Sequence, residues 1–129
     1  MSKITVGLVE DILVKGTKGA VKTMAKFDTG SNGNSIDIKL AANAGVGPVV
    51  ASIKVTSASI QVFKRRAVVG VEFIIKGKKF NTTASLEDRS HLKFPVLIGR
   101  KLIHSNFIVD VEKTHRSYKE DDFHKKKKN

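Results

Sequence analysis

The sequence predicts an all-β barrel or sandwich, and three observations carry that reading. Valine and isoleucine crowd a chain that has seven Phe and no Trp, a composition suited to pleated, half-buried surfaces. Short runs of alternating apolar and polar residues recur, each closed by glycine or lysine turns. About seven to nine such runs fit a barrel or sandwich. At 129 residues the chain has the length of one domain with one core.

The elements follow in order. Ile4, Val6 and Leu8 alternate, as do Ile12 and Val14 before the turn Lys15-Gly16-Thr17-Lys18-Gly19. Val21 to Phe27 reads as a strand running directly into Asp28. Ile36 and Ile38 alternate with Asp37 and Lys39, a strand pattern that breaks at Asn43-Ala44-Gly45-Val46-Gly47-Pro48. Val49 to Val55 and Ile60 to Phe63 are two further strands. Val69, Val71, Phe73 and Ile75 share one face of the clearest strand, which turns at Lys76-Gly77-Lys78-Lys79 and returns as Phe80 to Leu86. Val96-Leu97-Ile98 follows Pro95 and ends at Gly99-Arg100; Phe107, Val109 and Val111 close the ordered part. Arg100 to Ser105 and Asp88 to Lys93 are the segments able to form a helical turn.

Composition removes several chemistries. With no cysteine, disulfides, thiol nucleophiles and cysteine-ligated zinc are excluded. No apolar run approaches a membrane span and the first residues lack a signal-peptide core, so a cytoplasmic location without membrane association is expected. The net charge is +12; residues 113–129 hold seven basic and three acidic residues, leaving +8 on the body. A body that basic attracts polyanions: nucleic acid, anionic membrane or acidic polypeptide. Charge alone does not choose among them. The tail from Lys113, ending Lys125-Lys126-Lys127-Lys128, is expected to be a basic flexible segment.

Phe27-Asp28-Thr29-Gly30-Ser31 places an acid at the mouth of a strand. Glycine permits a tight turn there, and Ser31 is placed to hydrogen-bond near the carboxylate. In isolation the triplet reads more readily as a plain turn of favoured residues. Some seventy residues later, Phe94-Pro95-Val96-Leu97-Ile98-Gly99-Arg100 is an apolar strand followed by Gly-Arg. Together the two stretches resemble a retropepsin subunit. With Arg65-Arg66-Ala67-Val68-Val69, Leu86-Glu87-Asp88-Arg89-Ser90-His91 and Asn106 to Val111 they resemble the bacterial and archaeal retropepsin-like aspartic peptidase family that carries the label ATP-dependent zinc protease. The resemblance spans residues 3–112 and implies a domain at 1–112 with the tail at 113–129. It implies a closed or partly open acid-protease barrel with one short helix near the C-terminal end.

It also implies that the residues before Gly-Arg pass close beneath the catalytic loop. Asp28 is then the catalytic residue, with Thr29, Gly30, Ser31, Gly99 and Arg100 supporting its loop. The acidic residue that viral retropepsins place two positions after the glycine, where it pairs with the arginine, is Asn32 here, which leaves the partner of Arg100 open. A flap is expected within Val50 to Lys64, its tip at Thr56-Ser57-Ala58-Ser59-Ile60. The label's ATP and zinc find no support: Gly16 to Thr23 lacks Walker A spacing, no His-Glu-x-x-His exists, and the histidines at 91, 104, 115 and 124 lack ligand spacing and read as surface residues. No metal and no cofactor are expected.

Aspartic-peptidase chemistry uses two carboxyls that share one proton, because two carboxylates about 3 Å apart cannot both ionise. A chain with one Asp-Thr-Gly needs a twin, so a homodimer with Asp28 at the twofold axis follows. Family members often accompany an enzyme that adds glutamates to a ribosomal protein, which with the basic body implies an acidic, polyglutamate-like polypeptide substrate. Two other classes compete: a catalytically silent dimeric binding module of this fold, and a basic nucleic-acid- or ribosome-associated protein.

Overall fold

A computed structural model describes residues 2–57, 60–113 and 115, with the backbone alone at 56, 57 and 60–63. The elements are β1 (Ile4–Val6), β2 (Val9–Gly16), β3 (Gly19–Phe27), β4 (Asn34–Asp37), α1 (Ile38–Ala44), β5 (Val49–Ser57), β6 (Ile60–Ile75), β7 (Lys78–Glu87), β8 (Val96–Ile98), α2 (Arg100–Ile103) and β9 (Phe107–Val109). The main sheet runs β2-β3-β8-β4-β7-β6-β5, and β2 also pairs with β6. That extra pairing closes six strands into a barrel and leaves β5 outside, bonded only to β6. The expected all-β barrel is the observed one.

Alternation fills the barrel. Val69, Val71, Phe73 and Ile75 of β6 all turn inward, and Phe73 and Ile75 are fully buried. They meet Val14, Phe27, Ile36, Val96 and Ile98 from the facing strands. Fully burying such a side chain contributes about 1.5–3 kcal/mol. At one end Phe107 packs edge-on to Phe27, with ring centroids 5.3 Å apart, and also touches Phe80. A separate pair, β1 parallel to β9, lies over this end.

Three local readings are corrected. Ile36 and Ile38 do not continue one strand: the chain bends at Asp37 into α1, so the described residues hold two short helices. The Asp37 carboxylate accepts from the Leu40 amide and caps α1, and Gly45 ends it at φ 72°. Alanines at 41, 42 and 44 suit a helix packed tightly on β2. A Cβ at Gly16 would fall 2.2 Å from the Ala44 carbonyl oxygen. Second, Asp88 to Lys93 makes a single turn and no helix: the Leu92 amide donates to Arg89 O at 2.9 Å, and Asp88 accepts from both the amide and hydroxyl of Ser90. Third, β6 is one strand from Ile60 to Ile75, and Val111 lies in a turn beyond β9.

β6 pairs with β7 only from Val68 onward, and with β5 from Ile60 to Val69. The β5–β6 hairpin therefore rises free of the barrel, within the segment expected as a flap. Of its expected tip, Ala58 and Ser59 lie outside the described residues, and Thr56, Ser57 and Ile60 are described at the backbone only. Residues 116–129 also lie outside them. No helix among the described residues is long and apolar enough to cross a membrane.

Candidate active site

Asp28 stands where β3 leaves the barrel. Its position is set by β8, which runs parallel to β3 in the register Phe27↔Ile98, and the Asp28 amide donates to the Ile98 carbonyl at 2.8 Å. The strand before Gly-Arg thus passes directly beside the acid, where the sequence expected it. Asp28 then folds a tight turn. Its Oδ1 accepts from the Gly30 amide at 2.9 Å and its carbonyl from the Ser31 amide at 3.1 Å. A Cβ on Gly30 would stand 3.1 Å from that carboxylate oxygen.

Gly99 and Arg100 brace this turn from below. A Cβ at Gly99 would lie 2.2 Å from the Gly33 carbonyl oxygen and 2.9 Å from that of Ser31, so only glycine fits. Arg100 donates its amide to Ser31 O at 2.7 Å and its Nη1 to Thr29 O at 3.1 Å. A backbone carbonyl therefore takes the guanidinium that an acidic side chain holds in viral retropepsins, and Asn32 is exposed. Ser31 Oγ donates to Gly33 O rather than to the carboxylate.

A residue the sequence left without a role ties these parts together. Asn34 is buried and accepts the Gly99 amide at 2.9 Å through Oδ1. Its Nδ2 donates to Thr83 O on β7 at 3.0 Å. One side chain thus joins the Asp28 loop, the Gly-Arg turn and the barrel wall. Its polar character between Gly33 and the apolar Ile36 was the signal available.

Two recesses flank the loop. The smaller, about 230 Å³, is lined by Asp28, Thr29, Lys26 and Phe27 together with Leu8, Val109 and Val111. The larger is a cleft of about 630 Å³ between the loop, β7 and the free hairpin, to which Ala51, Ile53, Arg66 and Val68 contribute. In it Glu87 accepts from Arg89 at 2.7 Å, Arg66 at 3.0 Å and Ser35 at 2.8 Å. Burial pushes the Glu87 carboxyl up, but the Ser35 and Arg89 hydrogen bonds and the two arginine charges outweigh it and hold the group below its ordinary value. Residues 66, 87 and 89 drew no role from sequence because their meeting depends on the β6–β7 ladder.

The three histidines among the described residues do not gather; His124 lies outside them. His91 and His104 are exposed, while His115, contrary to a surface role, is largely buried against Asp11 at 3.0 Å. No group of three or more metal-ligating side chains occurs among the described residues.

A six-stranded closed barrel with an Asp-Thr-Gly turn braced by Gly-Arg is the retropepsin subunit fold. Solved structures agree at the level of fold. A Legionella pneumophila protein of unknown function (DUF785) superposes with a TM-score of 0.61 at 18% identity, covering 91% of this chain and 100% of that one. The EIAV protease bound to an inhibitor gives 0.56 at 12% identity, over 74% and 83% of the two chains. The simian foamy virus (mac) protease gives 0.52 at 11%, over 73% and 91%. No curated protein matches the chain. The RimB-like family, described as retropepsin-like aspartic endopeptidase RimB, matches residues 39–120, so the chain belongs to that family. That description names neither ATP nor zinc. The matched stretch contains Gly99 and Arg100 and begins after Asp28.

Proposed function

We propose that this chain is an aspartic-type endopeptidase that works as a homodimer, each chain supplying Asp28. The supporting observation is the arrangement of the turn. Asp28 is partly exposed at a recess whose far wall is the terminal strand, and its loop is held by the Arg100 and Lys101 amides on Ser31 O and Asn32 O, with the Gly99 amide held in turn by the Asn34 side chain. Such bracing presents a carboxylate in one place, which is what a proton-sharing pair requires.

In the proposed reaction the ionised member of the Asp28 pair takes a proton from water, whose oxygen attacks the peptide carbonyl carbon. The protonated member gives its proton to the carbonyl oxygen, forming a tetrahedral diol. Collapse breaks the C–N bond, with a proton passing to the leaving nitrogen. Water and the two carboxyls complete this step without a cofactor. Thr29, Gly30 and Ser31 shape the loop, Gly99 and Arg100 carry it, and the β5–β6 hairpin covers the bound chain.

The seam of the proposed dimer is the outer edge of β9. Ile4 donates to Asn106 O and Asp110 donates to Val6 O, so β1 occupies one edge of β9. By the alternation of a parallel ladder, Phe107 and Val109 direct their N–H and C=O groups to the other edge, which no strand fills among the described residues. Val109 of this edge and the exposed Val111 in the turn beyond it also line the Asp28 recess.

An acidic, polyglutamate-like segment is the proposed substrate, supported by the net charge of +12. The test is incubation of native and Asp28→Asn protein with oligoglutamate peptides across pH 3–8. Cleavage by the native protein alone is expected. Saturable binding without cleavage by either protein indicates the silent binding module; neither binding nor cleavage removes the substrate.

A further inference from the structure

The cleft beside the Asp28 loop carries a charge cluster that the peptide-bond chemistry does not use. Glu87, at the end of β7, holds two guanidiniums at once: Arg89 Nη1 on Oε1 at 2.7 Å and Arg66 Nη2 on Oε2 at 3.0 Å. Arg89 is fixed from behind, its side chain 8% exposed and its Nε donating to Phe94 O at 2.9 Å. Arg66 is 31% exposed and comes from β6 two residues before its first pairing with β7, at the root of the free hairpin.

The balance of charge is uneven. Arg66, Arg89 and Lys101 line the cleft against Glu87 alone. Asp37 turns its oxygens to the backbone amides of Leu40 and Arg89, and Asp88 turns its Oδ1 to Ser90. Asp28 opens on the other recess. Each guanidinium carries five N–H donors in a planar fork, and one carboxylate cannot satisfy two such forks. A partly desolvated cation pair sharing one anion favours a second. The two guanidiniums exceed the Glu87 they share by one charge, and their planar, two-pronged donors suit a carboxylate.

We propose that Arg66 and Arg89, bridged by Glu87, form a subsite for a carboxylate side chain of the bound polypeptide. The proposal rests on the peptidase reading only in taking the cleft as the place where a polypeptide lies. Because Arg66 belongs to the hairpin and Arg89 to the barrel wall, the bound side chain is gripped from both.

The experiment reads binding, not hydrolysis. Full-length Asp28→Asn protein is titrated by fluorescence anisotropy into labelled alanine-based decapeptides with one glutamate, or one glutamine, at each internal position in turn. At one position glutamate is expected to bind about tenfold tighter than glutamine. Arg66→Gln in the same background brings the two within about twofold, while Lys79→Gln, an equal charge loss at the exposed start of β7, keeps the difference. Equal binding at every position, absence of binding included, overturns the subsite; so does a preference that survives Arg66→Gln. Should that variant fail to fold, Arg66→Lys retains the ion pair without the fork and is expected to lose at least about threefold of the preference; an unchanged preference there overturns it too. The two readings fail separately. A glutamate preference without cleavage by the native chain sinks the peptidase, and equal cleavage of both peptides sinks the subsite.

Discussion

At the scale of single residues, the site depends on a few positions where no substitute fits. Gly99→Ala drives a methyl into two backbone carbonyls and is expected to cost at least about 3 kcal/mol, read from urea unfolding of variant and native protein. Asn34→Ala orphans the Gly99 amide and Thr83 carbonyl, and about 2–3 kcal/mol is expected by the same measurement. Asp28 and Gly99 were legible because an acid at a strand end and a Gly-Arg after an apolar strand are local patterns. Asn34 was not. Its partners lie 49 and 65 residues away, and nothing next to it in the chain announces them. The Arg66–Glu87–Arg89 cluster escaped for the same reason, although all three residues lie in stretches that carried the family resemblance. Glu87 also gives the molecule a pH response. Its folded pKa lies below the ordinary 4.5, so between the two values the unfolded chain binds more protons and stability rises with pH. The contribution is present above the unfolded value and lost as pH falls through the folded one. Urea midpoints from pH 6 to pH 3 should fall more steeply for native protein than for Glu87→Gln; parallel curves contradict this.

At the scale of elements, alternation gave the barrel strands, since each buries one face. It misread Asp37 to Ala44, where Ile36 and Ile38 keep a period of two while the Asp37 cap and the alanine run favour a helix. Tertiary packing decided the matter: α1 seats on Gly16, a close approach that a single sequence does not display. The hairpin was readable, but β6 proved continuous through Lys64-Arg65-Arg66, because a strand clear of the barrel can carry charge on both faces. The β9 edge makes a prediction of its own. Val109→Pro removes an N–H that faces away from β1, so the β1–β9 pair is left intact. Sedimentation equilibrium should show the dimer dissociating at least about tenfold more readily, with far-UV circular dichroism unchanged; an undiminished dimer places the seam elsewhere.

At the scale of the whole molecule, one closed barrel carries the Asp28 turn, a free hairpin and a basic cleft, and the proposed activity needs two such molecules. Fold and loop are properties of one chain and were largely written in its sequence. The proposed pairing is a property of two surfaces, and the sequence pointed to it only through the count of a single Asp-Thr-Gly. The most direct measurement mixes native chains with Asp28→Asn chains, co-refolds them at varied ratios and follows peptide hydrolysis at constant total protein. If both carboxyls are required, activity falls as the square of the native fraction, to about one quarter at an equal mixture. A linear fall, to about one half, means that each Asp28 acts alone and contradicts the shared-proton centre.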